Sequence, residues 1–231
     1  MLPAVILAGG LATRLRPLTE RIPKALAPVN GEPFLAHQLR LLRARGIGRI
    51  VMSAGYLGEM ICDFAGDGSA FGLQIEYSFD GPTLLGTAGA IRKALPLLGD
   101  AFFVLYGDSY LPCDYAGVAA RHRESGRLAL MTVFRNDGRF DASNVEFAEG
   151  EILAYDKKHR TEAMRHIDYG LGVFRAEAFQ LPETAAADLA DVYQGLLRLR
   201  ELAAYEMPER FYEIGTEEGL RETAAFLMSA K

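Results

Sequence analysis

The chain has 231 residues, half of them hydrophobic, with a formal net charge of -5 and two cysteines. That length suffices for a sizeable core in one large α/β domain or two small ones, and one domain over residues 1–231 is the simpler reading. The acidic balance excludes the cationic excess that binds nucleic acid or an anionic membrane unaided. Cys62 and Cys113 lack the spacing of a disulfide framework or a zinc site. The opening residues do not read as a signal peptide and no apolar run is long enough for a bilayer, so a cytoplasmic protein is expected.

Short apolar runs then alternate with amphipathic segments, the pattern of strands joined by crossover helices in a mostly parallel sheet. PAVILA (Pro3–Ala8), RIVMSA (Arg49–Ala54), LQIEYS (Leu73–Ser78) and AFFVLYG (Ala101–Gly107) read as strands, rich in β-branched and aromatic residues. Between the first two, Phe34, Leu35, Leu39 and Leu42 share one face of a helix bounded by Pro33 and Gly46. A second helix carries Ile91, Ala94, Leu95 and Leu98 and ends near Gly99. Further on, RLALMTVFR, NVEFAE, EILAYDK and HIDYGLGVFR alternate more evenly, as half-buried antiparallel strands do, and predict a hairpin-rich extension of the sheet. Asp188 is placed to cap a helix bearing Leu189, Val192, Tyr193, Leu196 and Leu197, and Thr216 to cap a last one bearing Leu220, Ala224 and Leu227.

The chemistry is concentrated in AVILAGGLATRLRPLTERIPKAL, Ala4 to Leu26. A strand ending in Gly9 and Gly10 lets the backbone approach a ligand closely. Neither the dinucleotide fingerprint nor the Walker loop is present, so a different phosphate site is required. Arg14, Arg16 and Lys24 gather three cations in one loop of an acidic protein, which suits a polyphosphate. Taken singly, the glycines would serve a tight turn equally well, and any one cation would serve as a solvated surface charge.

GGLATRLRPLTERIPKAL resembles the signature of the sugar-phosphate nucleotidyltransferases, G-G-x-[GA]-T-R-[LM]-x-P-x-T followed by P-K. The resemblance implies a Rossmann-like three-layer α/β/α fold, with a nucleotide-binding part over about residues 1–112 and a sugar-binding part over about 113–231. It also implies that Gly9, Gly10, Thr13 and Arg14 hold a nucleoside triphosphate, that Lys24 contacts phosphate at the reacting centre, and that Leu7 and Ala8 lie beneath the base. Arg16 occupies the variable position of the signature.

Two further stretches extend the resemblance over nearly the whole chain. In DGPTLLGTAGAIRKA, Gly86, Thr87 and Gly89 fall where the family contacts base and ribose; alone, Thr87 reads equally as a helix cap. In YGDSYL, Asp108 ends the most apolar strand and matches the family's Mg2+ ligand, though a lone aspartate there could cap the following turn. FYEIGTEEGL puts Glu213 where the family has a second metal aspartate. Lys157 of AYDKKH matches the lysine that meets the sugar phosphate, with Asp156 in place of glutamate, and is otherwise a solvated turn lysine. Asp168 and Gly170 of HIDYGLGVF match sugar contacts, Asp168 standing in place of asparagine.

The implied reaction is attack by a sugar 1-phosphate on the α-phosphorus of a nucleoside triphosphate, giving a nucleotide-sugar and pyrophosphate. The nucleophile is already an anion, so positioning and charge neutralisation by Arg14, Lys24, Lys157 and an Asp108-bound Mg2+ carry the catalysis. LGTAGA resembles the version in mannose and heptose 1-phosphate guanylyltransferases, which favours GTP with a heptose or hexose 1-phosphate; uridylyl or cytidylyl transfer is the alternative within this chemistry. A non-catalytic nucleotide-sugar sensor, with Glu213 marking a decayed metal site, is the rival from another class.

Overall fold

In AVIL, Ala4 and Ile6 face one apolar cluster while Val5 faces another, so the first strand is buried on both faces, as a central strand of a covered sheet must be. The computed structural model describes residues 1–10, 12–179 and 188–229. In chain order β1 (Ala4–Leu7) leads through a loop of short 3-10 turns, including Thr13–Leu15 and Lys24–Leu26, to the small hairpin β2 (Pro28–Val29) and β3 (Glu32–Pro33). Next come α1 (Phe34–Ala44), β4 (Arg49–Ala54), α2 (Gly58–Ala65), β5 (Gln74–Phe79), α3 (Gly86–Leu98), β6 (Ala101–Tyr106), β7 (Ser109–Tyr110) and α4 (Tyr115–Ser125). The remainder comprises β8 (Ala129–Arg135), β9 (Val145–Ala148), β10 (Glu151–Tyr155), β11 (His166–Arg175), α5 (Leu189–Arg198), β12 (Leu202–Met207), β13 (Tyr212–Glu213) and α6 (Glu217–Ser229).

Among the described residues nine strands form one sheet in the order β10-β9-β11-β6-β1-β4-β5, with β8 on β11 and β12 on β8. β5, β4, β1 and β6 run parallel, and β11 returns antiparallel to β6. One face is covered by α1, α2 and α4, through Leu35, Leu39, Leu42, Ile61 and Val118; the other by α3 and α5, through Ile91, Ala94, Leu189, Val192 and Leu196. The result is the expected three-layer α/β/α arrangement. A third, smaller cluster of Val29, Phe34, Ile214 and Leu227 seats α6 beside the β7–β13 ribbon.

Most of the expected elements form with boundaries shifted by a residue. The helix with Phe34, Leu35, Leu39 and Leu42 buries all four completely. Asp188 caps α5 by accepting from Ala190 N at 2.9 Å, and Thr216 Oγ1 accepts from Gly219 N at 3.0 Å at the start of α6. β8 differs from its expectation. It is buried along all but its last residue, because it lies between β11 and β12 and is covered on both faces. Among the described residues no helix is long and apolar enough to cross a membrane.

Candidate active site

The strands after β1 are laid down to one side of it as β4 and β5, and then α3 carries the chain across to place β6 on the other side. The crevice opened by such a reversal lies at the carboxyl ends of the two strands flanking it, β1 and β6. A cleft of about 260 Å3 lies there, with Leu7, Ala8, Gly9 and Gly10 on one wall and Tyr106, Gly107 and Asp108 on the other.

Packing favours glycine at position 9: a Cβ there would lie 3.1 Å from Gly55 N and 3.3 Å from Asp80 Oδ2, so a neighbour would have to give by a few tenths of an ångström. Gly10 faces open space, leaving bare backbone in the cleft wall. The chain then bends through Ala12 at a φ of 49°, a left-handed turn held by the Thr19 hydroxyl, which donates to Ala12 O at 2.8 Å. Thr13 and Arg14 follow in the next 3-10 turn and are exposed; neither belongs to the cleft wall proper. Arg14 instead extends toward Glu213, whose carboxyl its charge draws downward in pKa. Arg16 points elsewhere, within 4.0 Å of Glu20.

Lys24 and Asp108 meet across the cleft mouth, Nζ to Oδ2 at 2.6 Å. Asp108 belongs to the two-residue turn between β6 and β7, and β7 pairs antiparallel with β13 so that Ser109 opposes Glu213. Ile214 N also donates to Asp108 O at 3.0 Å. This ribbon brings the two carboxylates together. Burial, and then the negative charge of Asp108, push the Glu213 carboxyl above its ordinary pKa, while Arg14 and Lys24 oppose the shift. Arg14, Lys24, Asp108 and Glu213 are therefore one electrostatic cluster.

At the other end of the cleft, Gly86 opens α3 at a φ of 71° and lines the wall with Thr87. Thr87 does not cap α3. Its Oγ1 accepts from Leu189 N at 2.6 Å and donates to Asp188 Oδ1 at 3.3 Å, joining the start of α3 to the start of α5. Gly89 lies one turn deeper, outside the wall, where a Cβ would press on Leu85 Cβ at 3.0 Å. Sequence reasoning missed Asp80, which projects into this end beside Gly9 and accepts from Leu85 N at 3.5 Å. Burial raises its carboxyl, partly offset by Leu85 N and the Lys93 charge. No local signal marks it, because the strand before it alternates polar and apolar residues and what distinguishes Asp80 is the backbone it faces.

Beyond Tyr106 lies the third group. The Asp168 side chain, 6% exposed, accepts from Tyr155 OH at 3.3 Å and Gly170 N at 3.0 Å, with Lys157 Nζ at 3.8 Å. Lys157 also stands over the rings of Tyr106 and Tyr155 at 5.8 and 6.0 Å, where a cation is attracted to the aromatic face. Gly170 adopts a φ of 95°, and a side chain there would point at Ser109 and Tyr106. Asp156 turns away: its Oδ1 accepts from Lys158 N and His159 N at 2.7 and 2.9 Å, closing a surface turn. Tyr106 is the wall common to both groups, and burial together with Asp168, Asp188 and Asp108 holds its phenol protonated.

A strand-end glycine loop with two cations, opposed to a carboxylate pair at a sheet's topological switch point, defines a phosphate-handling α/β protein. The nucleotidyl transferase family profile matches residues 3–227, and the chain belongs to that family. It is 33% identical over 236 residues to N-acetylmuramate alpha-1-phosphate uridylyltransferase of Neisseria meningitidis, covering 96% of each chain. It is 32% identical over 185 residues to UTP--glucose-1-phosphate uridylyltransferase of Synechocystis, matching 74% of this chain but spanning only about half, 48%, of that longer protein. Among solved structures, HddC from Yersinia pseudotuberculosis has the same fold, with a TM-score of 0.81 over 98% of this chain and 100% of that one at 23% identity.

Proposed function

We propose that this protein transfers a nucleotidyl group from a nucleoside triphosphate to a sugar 1-phosphate, with Mg2+, giving a nucleotide-sugar and pyrophosphate. The observation that supports it best is the convergence of Arg14, Lys24, Asp108 and Glu213 where β1 and β6 end. The loop of Gly9, Gly10, Thr13 and Arg14 holds the triphosphate, the bare backbone providing close approach and Arg14 the charge. Lys24 neutralises the phosphates at the reacting centre. Two neighbouring carboxylates fit Mg2+, a hard cation that keeps most of its waters and takes the rest of its oxygens from substrate phosphates. Asp108 and Glu213 would hold it, and bound there it would supply positive charge that offsets the triphosphate. Leu7, Ala8, Gly86, Thr87 and Gly89 surround base and ribose, Gly89 indirectly by letting α3 start tightly.

The incoming sugar 1-phosphate lies on the far side of Tyr106, its phosphate held by Lys157 and its hydroxyls by Asp168 and the Gly170 backbone. This divides the chain into a nucleotide part over about residues 1–112 and a sugar part over about 113–231. A phosphate oxygen of the sugar phosphate forms a bond to the α-phosphorus as the bond to pyrophosphate breaks. Both partners are anions, so the chain's cations do the work by holding them in line.

Asp80 bears on the base. A carboxylate only accepts hydrogen bonds, so it suits bases with a ring N–H, guanine or uracil, and repels the unprotonated ring nitrogen of adenine or cytosine. Guanine adds its amino group as a second donor, which makes GTP the first substrate to test. UTP is the second, favoured by the names of the two relatives. Pyrophosphate release with GTP and UTP against heptose, mannose and glucose 1-phosphates, with and without Mg2+, tests the proposal; nucleotide-sugar binding with no release in any pairing would favour a sensor.

A further inference from the structure

We infer that Gln38 is the positioning residue that fixes the turn carrying Asp108, and that through this turn it sets how tightly the metal-nucleotide is held. This rests on the function proposed above. Gln38 lies on α1, 1% exposed, between residues of a helix whose Phe34, Leu35, Leu39 and Leu42 are completely buried. Its Nε2 donates twice, to Tyr106 O at 2.8 Å and to Ser109 O at 2.7 Å. Those two carbonyls flank the Gly107–Asp108 turn on either side.

The orientation of the amide follows from these partners, since a flipped carboxamide would set its oxygen against two carbonyl oxygens. In this orientation Gln38 Oε1 is buried with no partner. A side chain serving only to satisfy itself would not leave an acceptor stranded; the two bonds to the turn take precedence. The turn's other backbone bonds run to the strand bearing the glycine loop and to the segment bearing Glu213: Gly107 N donates to Leu7 O at 2.9 Å and Ile214 N to Asp108 O at 3.0 Å. Gln38, which does not line the cleft, thus ties the Asp108 turn to the buried helix α1, while Leu7 and Ile214 tie it to the strand before the glycine loop and to the residue after Glu213. Loss of the amide removes one tie from each flank and leaves only the strand pairings of Tyr106 with Leu7 and Ser109 with Glu213, so the carboxylate keeps its chemistry and is held less firmly in position.

The test uses Gln38→Met, which keeps length and removes both donors, and Gln38→Glu, which keeps shape and replaces the donors with an oxygen. Mn2+ binding is measured by electron paramagnetic resonance in the presence of a non-hydrolysable GTP analogue, alongside kcat, KM for the sugar 1-phosphate and Tm. Supporting partners behind metal ligands commonly contribute 10- to 100-fold in affinity or activity, so Mn2+ affinity and kcat should each fall at least about tenfold in both variants, with KM for the sugar 1-phosphate within about twofold. A lowered Tm with Mn2+ affinity at the wild-type value would overturn the inference and leave Gln38 a core residue. Should Gln38→Met not fold, Gln38→Glu decides by the same readings. Wild-type protein that releases no pyrophosphate from any nucleotide would instead defeat the underlying function, so the two failures are distinct.

Discussion

Lys24 Nζ lies 2.6 Å from Asp108 Oδ2, joining side chains 84 residues apart at the mouth of the cleft. Both side chains are about four-fifths covered, at 19% and 22% exposure, so the pair is partly shielded from water and salt. In the proposed function, the cation assigned to phosphate is thus held in place by the carboxylate assigned to metal. Lys24→Met and Asp108→Asn should each lower kcat/KM by about 100- to 1000-fold, the range seen on removing one preorganised charged contact. The double variant should lose far less than the product of the two, because they act as a unit. Steady-state kinetics of the three proteins checks this; fully multiplicative losses would mean that the pair is incidental.

Gly9→Ala tests the close approach of β1 to its neighbours. The added methyl meets Gly55 N at 3.1 Å and the Asp80 carboxylate at 3.3 Å, so the glycine loop or its neighbours must give by a few tenths of an ångström. KM for the nucleotide should rise at least about tenfold while KM for the sugar 1-phosphate stays near wild type, because the proposed sugar site lies beyond Tyr106. Gly10→Ala, whose methyl meets nothing, should have a smaller effect.

Asp80→Asn replaces an acceptor with a group that both donates and accepts, so discrimination against ATP and CTP should weaken by about tenfold or more, measured as the ratio of kcat/KM values. Its effect on stability depends on pH. The folded carboxyl has a raised pKa, chiefly from burial, so the folded state binds that proton more tightly than the unfolded state. The stabilisation this gives is complete below the ordinary aspartate range and is lost as pH rises through the elevated value. Asp80→Asn should therefore raise Tm at neutral pH, with the gain vanishing in acid; thermal melts at several pH values decide.

Lys157→Ala should raise KM for the sugar 1-phosphate by about tenfold or more and leave KM for the nucleotide nearly unchanged. Asp168→Asn keeps the hydrogen-bond geometry at Tyr155 and Gly170 and removes the charge facing Lys157, so it should change sugar preference more than nucleotide preference. Competition between sugar 1-phosphates read by product analysis would show it.

How far the sequence discloses the site follows from how locally each part is built. Gly9 to Lys24 is one continuous loop, so its glycines and cations are legible together, as are the parallel strands with their apolar runs. Glu213 is legible as a departure from a motif, but its place beside Asp108 depends on the β7–β13 pairing of residues about a hundred positions apart. Asp80 and Gln38 have no local signature, because what makes them notable is the backbone they face across the fold. Thr87 reads as a helix cap until α5 is brought against it. Asp156 stands at a motif position, yet its neighbours Lys158 and His159 offer backbone donors close at hand, and the local turn wins. The short α2 starts from a left-handed Leu57 followed by a glycine, which carries little helical signal.

Pyrophosphate release measured across GTP, UTP, ATP and CTP, each with a panel of sugar 1-phosphates and Mg2+, tests the account most directly. Metal-dependent release should occur with GTP or UTP and a sugar 1-phosphate, be negligible with ATP and CTP, and disappear in Asp108→Asn. Release that persists undiminished in Asp108→Asn, or none from the wild-type protein with any pairing, would contradict it.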